Sequence, residues 1–238
     1  MTDLIFQTDS YQKTFIATVT HVGDEGSIAL DRSVFYPGGG GQPCENGELT
    51  AGEQCWQVPK VRRHGTTVWH SLQGDAPPLV GQKVRGMLDW PRRFQLMRTH
   101  TAMHILCGVV WRDYGASVTG GNMQPLRGRM DFEFETMRAE LVQEIEQKIN
   151  VEVAAARDVR VKILPRTEAF QIPDLIRTKN NLLPEAIAEV RTVEIVGLDL
   201  QADGGTHVAN SAEVGAIRVV DYKSKGKNNK RIIVEIDG

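Results

Sequence analysis

The sequence has few cysteines, few aromatic residues and no long apolar run. Its three cysteines, Cys44, Cys55 and Cys107, are far apart and odd in number. This excludes a disulfide framework and favours a reducing compartment, so we expect a cytoplasmic protein. No segment approaches the roughly 20 apolar residues that cross a bilayer, and the N-terminus lacks the regions of a signal peptide. The net charge of −2 excludes a globally basic surface, so any nucleic acid must be bound by local patches.

The first third of the 238-residue chain has the pattern of short β-strands separated by turns. The segment Thr14–Val22 is rich in β-branched residues and is followed by Gly23-Asp24-Glu25-Gly26, which breaks it. Further short strands are expected at Cys55–Val58 and Thr66–Leu72, and the last at Gln82–Trp90. Many short strands with turns between them predict a small barrel.

The pattern changes at Pro91. Apolar spacing predicts a helix from Arg92 to Trp111, with Pro91 in its first turn, and an amphipathic helix from Glu135 to about Ala156. Alternating strands, a short helix at Pro184–Val190 and a C-terminal hairpin around the loop "KSKGKNNK" complete the prediction. We therefore expect an α+β protein with a domain boundary at residue 91, giving domains 1–91 and 92–238.

Two histidines lie four residues apart in "RTHTAMH", on one face of the predicted helix. His100 and His104 have the spacing that lets two imidazoles bind one metal ion. Thr101 stands where a zinc protease has its glutamate, which disfavours that class. Cys107 is a possible third ligand on much the same face, although a small buried apolar role suits it better. Two polar residues on a half-buried helix remain the alternative for the histidine pair.

A second candidate group lies in "DLQADGGTHVAN". Asp203 and His207 are separated by Gly204 and Gly205, a pair that suggests a tight turn bringing both side chains to one side. Asp oxygen and His nitrogen both bind zinc, so the two segments together offer four ligands. The alternative is a loop in which Asp203 forms an Asx-turn.

Four consecutive glycines occur in "FYPGGGGQP", Phe35–Pro43. Ordering them costs much conformational entropy, so bare backbone is expected to serve a close approach by a ligand or a neighbouring domain. A flexible turn is the alternative. The segment is neither a P-loop nor a dinucleotide-binding fingerprint, because the required flanking residues are missing.

The three segments "FYPGGGGQP", "HTAMHIL" and "DGGTHV", in this order, resemble the alanyl-tRNA editing proteins (AlaX-type), free-standing relatives of the editing domain of alanyl-tRNA synthetase. The C-terminal "KSKGKNNKRI" is similar to the closing hairpin of that family. The resemblance implies a Gly-rich N-terminal β-barrel followed by an α/β editing domain, with helices against a mostly antiparallel sheet. It also implies one Zn²⁺ per chain and ATP-independent hydrolysis in trans of mischarged tRNA(Ala), chiefly seryl-tRNA(Ala), with glycyl-tRNA(Ala) a second candidate.

One residue departs from the family pattern. The usual cysteine before Gly-Gly-Thr-His is Asp203 here, and a carboxylate is a harder, more exchangeable ligand than a thiolate. We expect zinc on His100, His104 and His207, with Asp203 weakly or variably bound. An open fourth position lets zinc activate water, whereas a closed site leaves zinc to organise the pocket. Iron or nickel would also suit three histidines and a carboxylate.

The substrate contacts are predicted from chemistry. A pocket that requires the serine hydroxyl rejects alanine, and the candidates for that contact are Thr99, Thr101, Gln42 and Thr119. Backbone N–H groups are expected to stabilise the oxyanion or hold substrate; they belong to Gly39, Gly40, Gly41, Gly204 and Gly205. Cations expected to meet tRNA phosphates are Arg92, Arg93, Arg98, Lys225, Lys227 and Lys230.

Two rival functions stay open at this point. The editing domain of threonyl-tRNA synthetases has similar histidine spacing, although the Gly-rich motif favours the alanyl side. A zinc-stabilised RNA-binding module without catalysis is the other alternative, although a closed cysteine-containing site would suit it better. The sequence indicates no obligate protein partner and leaves the oligomeric state open.

Overall fold

A computed structural model describes residues 1–179, 183 and 187–238, which divide into two compact units, Met1–Phe94 and Gln95–Gly238. The first unit contains eight strands: β1 (Asp3–Leu4), β2 (Thr14–Val22), β3 (Ile28–Leu30), β4 (Arg32–Ser33), β5 (Gly47–Ala51), β6 (Gln54–His64), β7 (Thr67–Gln73) and β8 (Lys83–Leu88). Six of them close into a barrel in the order β2-β3-β7-β6-β5-β8. The α+β class and the N-terminal barrel predicted from the sequence are confirmed.

Alternating side chains fill the barrel. On β2, Phe15 and Val19 point into the core while Ile16 is exposed. On β6 the alternation skips between Val58 and Val61, where the pairing register with β7 shifts. Pro59 lies in this bulge, a position where the missing N–H of proline costs no ladder hydrogen bond.

A buried ion pair holds the end of the first unit. Arg93 and Glu45 are both almost fully buried and bind each other through two guanidinium nitrogens. Arg93 Nη1 also donates to the carbonyl of Ser10 at 2.7 Å, and Glu45 accepts the N–H of Tyr36 at 2.7 Å. The prediction that Arg93 binds RNA is therefore wrong, because this cation is inside the unit and its charge is already neutralised.

The four glycines form a tight turn. The backbone N–H of Gly39 donates to Gln42 and the N–H of Gln42 donates back to Gly39, at 3.0 and 2.9 Å. All four φ angles, from Gly38 to Gly41, are positive, a region that other residues rarely adopt. The glycine run is thus required by the turn itself, whether or not a ligand approaches it.

The second unit contains two antiparallel sheets and the helices. Its described strands are β9 (Val118–Gln124), β10 (Arg127–Phe132), β11 (Val159–Pro165), β12 (Glu189–Ile195), β13 (Asp199–Ala202), β14 (Ile217–Gly226) and β15 (Asn229–Ile236). They form the sheets β14-β15-β10-β9 and β11-β12-β13. The helices are α1 (Trp90–Tyr114), which begins in the first unit, α2 (Ala139–Ala154) and the short α3 (Arg166–Ala169).

Helix α1 is buried on every side between Thr99 and Val110. Its Met103 packs against Gly121 and Gly128 of the four-stranded sheet, and its Gly108 packs against the turn between β12 and β13. A helix that is surrounded in this way is a core element, and any polar side chain on it must be bonded inside the protein.

Several predicted boundaries move. Helix α1 is longer than expected at both ends, and α2 is shorter. Most of the predicted loop "KSKGKNNK" is strand, because β14 continues to Gly226 and β15 begins at Asn229. Of the helix predicted at Pro184–Val190, residues 184–186 lie outside the described residues, and Glu189 and Val190 begin β12. Among the described residues, no helix has the length and apolar character needed to cross a membrane.

Candidate metal centre

Four predicted ligands meet in the second unit. His100 and His104 extend from consecutive turns of α1, and Asp203 and His207 come from the segment that follows β13. One ligand atom from each of the four residues lies within 4.8 Å of the other three. The glycine pair between Asp203 and His207 thus brings both side chains to the helix, as the spacing predicted.

The Asp203 carboxylate lies at the centre of the three imidazoles. Its oxygens are 3.1 Å from His207 Nε2, 3.4 Å from His100 Nε2 and 4.0 Å from His104 Nε2. The rings of His100 and His207 are stacked with centroids 4.3 Å apart. All three Nε2 atoms therefore face one carboxylate.

For His100, His207 and Asp203, though not for His104, the environment favours the protonation state that binds a cation. Burial lowers the pKa of His100 to about 4 and lowers that of His207 well below its usual value. Burial also lowers the pKa of His104, but Asp199 and Asp203 outweigh it and raise the value. The pKa of Asp203 is held well below its usual value, because the neighbouring histidines outweigh the effect of burial.

Two of the imidazoles are oriented through their other nitrogen. His207 Nδ1 lies 3.1 Å from Thr101 Oγ1, which also accepts the backbone N–H of Val208 at 3.3 Å. His104 Nδ1 lies 3.3 Å from the carboxylate of Asp199, whose side chain is fully buried; this is an ion-pair contact and its geometry is not that of a hydrogen bond. A proton on each Nδ1 leaves the Nε2 lone pair free for a metal, the arrangement in which metal-binding histidines are usually held.

Two further groups fix Asp203. The backbone N–H of Gly205 donates to Asp203 Oδ2 at 2.7 Å. Arg191 Nη1 donates to the Asp203 carbonyl at 3.0 Å and lies 3.6 Å from Oδ2. Sequence reasoning missed Arg191 and Asp199; the available signals were an arginine between the valines of a predicted strand, and an aspartate in the segment already selected for Asp203.

Cys107 does not belong to the cluster of ligand atoms, which consists of His100, His104, Asp203 and His207. It is buried, and burial together with Asp199 raises the pKa of its thiol far above the usual value. A thiol that keeps its proton is a poor metal ligand, since metals bind the thiolate. The apolar role that the sequence favoured for Cys107 fits this environment.

The residues present fit a zinc ion. Zinc bonds of about 2.0–2.1 Å in a tetrahedron separate the ligand atoms by about 3.3 Å. The contacts of the carboxylate with the three Nε2 atoms bracket this value, at 3.1 to 4.0 Å. The three histidines are 95% or more buried, so they are not the solvated polar residues of a helix surface.

The threonine candidates have local partners. Thr99 Oγ1 donates to the carbonyl of Gln95 at 2.7 Å and accepts the N–H of Leu126 at 2.9 Å. Its hydroxyl is therefore already used as both donor and acceptor within the protein. Thr101 contacts His207, as described above. Thr119 is exposed on β9, and its hydroxyl donates to Asn229 at 3.0 Å. Gln42 is buried in the glycine turn of the first unit.

The basic candidates differ in availability. Arg92 is half-buried and reaches the carbonyl of Cys44 at 3.5 Å, while Arg98 donates to the carbonyls of Val214 and Asp237. Lys225 and Lys227 are exposed on the hairpin. Lys230 is buried, and its ammonium donates to the Gly226 and Lys227 carbonyls at 2.8 Å, so it closes the hairpin turn rather than facing a phosphate.

The chain is similar to proteins of alanyl-tRNA metabolism. Residues 190–233 match the model of the threonyl and alanyl tRNA synthetase second additional domain, and residues 5–92 match that of class II (A) tRNA synthetases. The alanyl-tRNA editing protein AlaX-M of Methanosarcina barkeri is 35% identical over 237 residues, and that of Saccharolobus solfataricus 36% over 237 residues, each covering 98% of both chains. An alanine–tRNA ligase of Pyrobaculum aerophilum is 37% identical over 222 residues, which cover 90% of this chain and 25% of the ligase.

Proposed function

Since this chain belongs to the family of alanyl-tRNA editing proteins, we propose that it hydrolyses the aminoacyl ester of seryl-tRNA(Ala), with glycyl-tRNA(Ala) as a second substrate. The protein is a hydrolase that edits mischarged tRNA(Ala) in trans, and hydrolysis of an activated ester needs no ATP. The observation that carries the proposal is the convergence of His100, His104, His207 and Asp203. The activity belongs to the cytoplasm, where tRNA is charged.

The three histidines and Asp203 would hold a zinc ion. When bound, zinc supplies a Lewis acid that polarises an ester carbonyl or a water molecule. Asp203 shares its Oδ2 with Gly205 and Arg191, so we expect it to be a weaker ligand than the histidines. This supports three firm nitrogen ligands and one exchangeable carboxylate.

Other groups of the chain orient the site and receive the developing charge. Thr101 holds the His207 ring through Nδ1, and the Asp199 carboxylate faces His104 Nδ1, so both rings are positioned with Nε2 towards Asp203. The N–H of Gly205 is already bound to Asp203, which disfavours it as an oxyanion donor. Gly204 is exposed, and no hydrogen bond of its N–H to another described residue is found. We therefore prefer the Gly204 N–H for that role.

Serine must be accepted and alanine rejected. A site whose polar group pairs with the serine hydroxyl loses that pairing with alanine, which can give about 10⁴-fold discrimination. The hydroxyls of Thr99 and Thr101 are committed to neighbouring backbone and histidine groups, which disfavours both as substrate contacts. Thr119 donates to Asn229 and can still accept a hydrogen bond, so Thr119 is the candidate that remains in the second unit, whereas Gln42 is buried in the first unit.

Deacylation assays test the function directly. The purified protein is incubated with seryl-, glycyl- and alanyl-tRNA(Ala), with and without a chelator, and release of the amino acid is followed. We expect serine release to be fast and chelator-sensitive, and alanine release to be slower by orders of magnitude. Absence of serine release by the metal-loaded protein would refute the seryl activity, and alanine release at the same rate would refute an editing role.

The threonyl alternative has one supporting observation, because the model that matches residues 190–233 covers both synthetase types. Adding seryl-tRNA(Thr) to the same assay distinguishes the two. Preference for seryl-tRNA(Thr) would transfer the activity to that substrate. Tight tRNA binding without release of any amino acid would instead favour a non-catalytic RNA-binding module.

A further inference from the structure

Strand β6 of the barrel carries cations that have no part in the metal centre. Lys60, Arg62 and Arg63 are exposed, and His64 follows them. Residues 60–64 contain three formal positive charges and no acidic residue, in a chain whose net charge is −2. A local concentration of positive charge on a weakly acidic protein indicates a surface that attracts a polyanion.

The pairing of β6 with β7 defines the face on which Lys60 and Arg62 lie, whereas Arg63 pairs with the buried Val68 and alternates to the other face at the end of the strand. Val61, between Lys60 and Arg62, is fully buried, which directs its two neighbours to the outer face of the barrel. The cross-strand neighbours on that face are neutral. The pairs are Lys60–Ser71, Arg62–Trp69 and His64–Thr67.

The cations lack carboxylate partners. Neither the Lys60 nor the Arg62 side chain forms an ion pair or hydrogen bond with any described residue, and the Arg63 side chain donates to the Gly65 carbonyl at 2.9 Å. The four-stranded sheet of the second unit is different, because its arginines are neutralised: Arg231 binds Asp131 with two bonds of 2.6 and 2.7 Å. The charge on β6 is therefore available to an external anion.

An aromatic platform adjoins the cations. Trp69 is half-buried opposite Arg62. Its indole ring lies 2.8 Å from where a side chain on Gly23 would begin, and the His21 ring is 6.3 Å away between centroids. The glycine leaves room for the indole to lie on the barrel surface. Cations beside an aromatic face are the usual means of binding single-stranded RNA or exposed nucleotides.

We propose that Lys60 and Arg62, with His64 on the same face and flanked by Trp69, form a cationic strip that binds the sugar-phosphate backbone of the tRNA substrate. The identity of the RNA rests on the proposed function, whereas the affinity of the strip for RNA requires no hydrolysis. The strip accounts for how a protein of net negative charge retains a polyanionic substrate.

A charge-matched pair of double variants tests the strip. Lys60→Gln/Arg62→Gln removes one lysine and one arginine from it. Lys83→Gln/Arg85→Gln removes the same charges from exposed positions of β8, on a different part of the barrel. The dissociation constant of uncharged tRNA(Ala) is measured by fluorescence anisotropy over a series of salt concentrations, and thermal melting confirms that both variants fold.

We expect the strip variant to raise the dissociation constant about tenfold or more at moderate salt, and to lower the slope of log K against log salt by about 2, one per lost phosphate contact. In deacylation, KM rises in parallel and kcat is unchanged. The β8 variant should stay near wild type. Equal effects in the two variants would overturn the proposal. Binding to anionic lipid vesicles is measured as well, and a strip variant that loses vesicle binding while its tRNA affinity is unchanged would also overturn it.

Failure of the proposed function gives a different result. If wild-type protein releases no serine but its tRNA affinity depends on Lys60 and Arg62, the strip stands and the activity falls. If serine is released normally and the strip variant binds and edits like wild type, the activity stands and the strip falls.

Discussion

Replacing Thr101 by valine tests whether its hydroxyl serves His207 or the substrate. The substitution keeps the shape of the side chain and removes only the oxygen that meets His207 Nδ1 and the Val208 N–H, at 3.1 and 3.3 Å. Thr99 supplies a matched control on the same helix. It is equally buried and also accepts a backbone N–H, from Leu126 at 2.9 Å, but it contacts no histidine.

The two variants should lose similar stability. Each leaves one backbone N–H without its acceptor, the buried one of Val208 or the part-buried one of Leu126, at a cost of about 1–3 kcal/mol. Thr99→Val also removes the donor to the Gln95 carbonyl. Valine recovers part of this through the added methyl group, so we expect the free energy of unfolding of the metal-free protein to fall by about 2 kcal/mol in both. Denaturant unfolding measures this term.

Metal affinity should separate them. Thr101→Val also frees the His207 ring to rotate, and loss of such an orienting partner typically weakens metal binding about 10- to 100-fold. Thr99→Val should leave zinc affinity within about threefold of wild type, because its hydroxyl is remote from the ligands. Competition with a zinc chelator dye gives both dissociation constants. Equal zinc affinities for the two variants would refute the orienting role of Thr101.

Three other changes have defined outcomes. Burial lowers the pKa of His70 to about 4. The contribution of the neutral ring to stability is therefore complete above pH 6.5 and falls as the pH drops towards 4, by at most about 3.4 kcal/mol. The difference in unfolding free energy between wild type and His70→Gln should shrink over that range, and a pH-independent difference would contradict the assignment. Asp203→Cys should hold zinc about tenfold or more tightly than wild type, since a thiolate is the softer ligand; equal zinc content after chelator dialysis would show that position 203 does not ligate. Arg93→Met should destabilise the first unit by about 3–5 kcal/mol through the unpaired Glu45, while Glu45→Gln/Arg93→Met should recover much of this in urea unfolding; if it recovers nothing, the cost lies in the lost arginine contacts.

Periodicity predicted the elements because burial acts on it directly. The strand Thr14–Val22 is found with the expected bounds, since its alternation continues to the turn that ends it. Helix α1 exceeds its predicted range because Pro91 fits a first turn that starts at Trp90. The hairpin around Gly226 was shortened in the prediction because lysines in an exposed strand have the composition of a loop.

The metal ligands could be predicted because each is a rare residue type in a characteristic spacing. The residues that orient them could not, since an ordinary threonine such as Thr101 becomes important only through a partner 106 positions away. Arg93 shows the opposite error. Arginine is usually exposed, and the burial of Arg93 is stable only because Glu45, distant in the sequence, neutralises its charge.

The packing of Gly108 limits how this protein can be engineered. Replacing a glycine inside a helix by alanine is a common way to gain up to about 1 kcal/mol of stability. At Gly108 the new methyl would stand 3.0 Å from both the Asp199 Cβ and the Leu198 Cγ, so the turn would have to retreat by a few tenths of an ångström. That turn carries the carboxylate 3.3 Å from His104. A stabilising design applied here would therefore trade thermal tolerance against the alignment of a metal ligand, and Gly108 should be left out of any consensus or thermostability library.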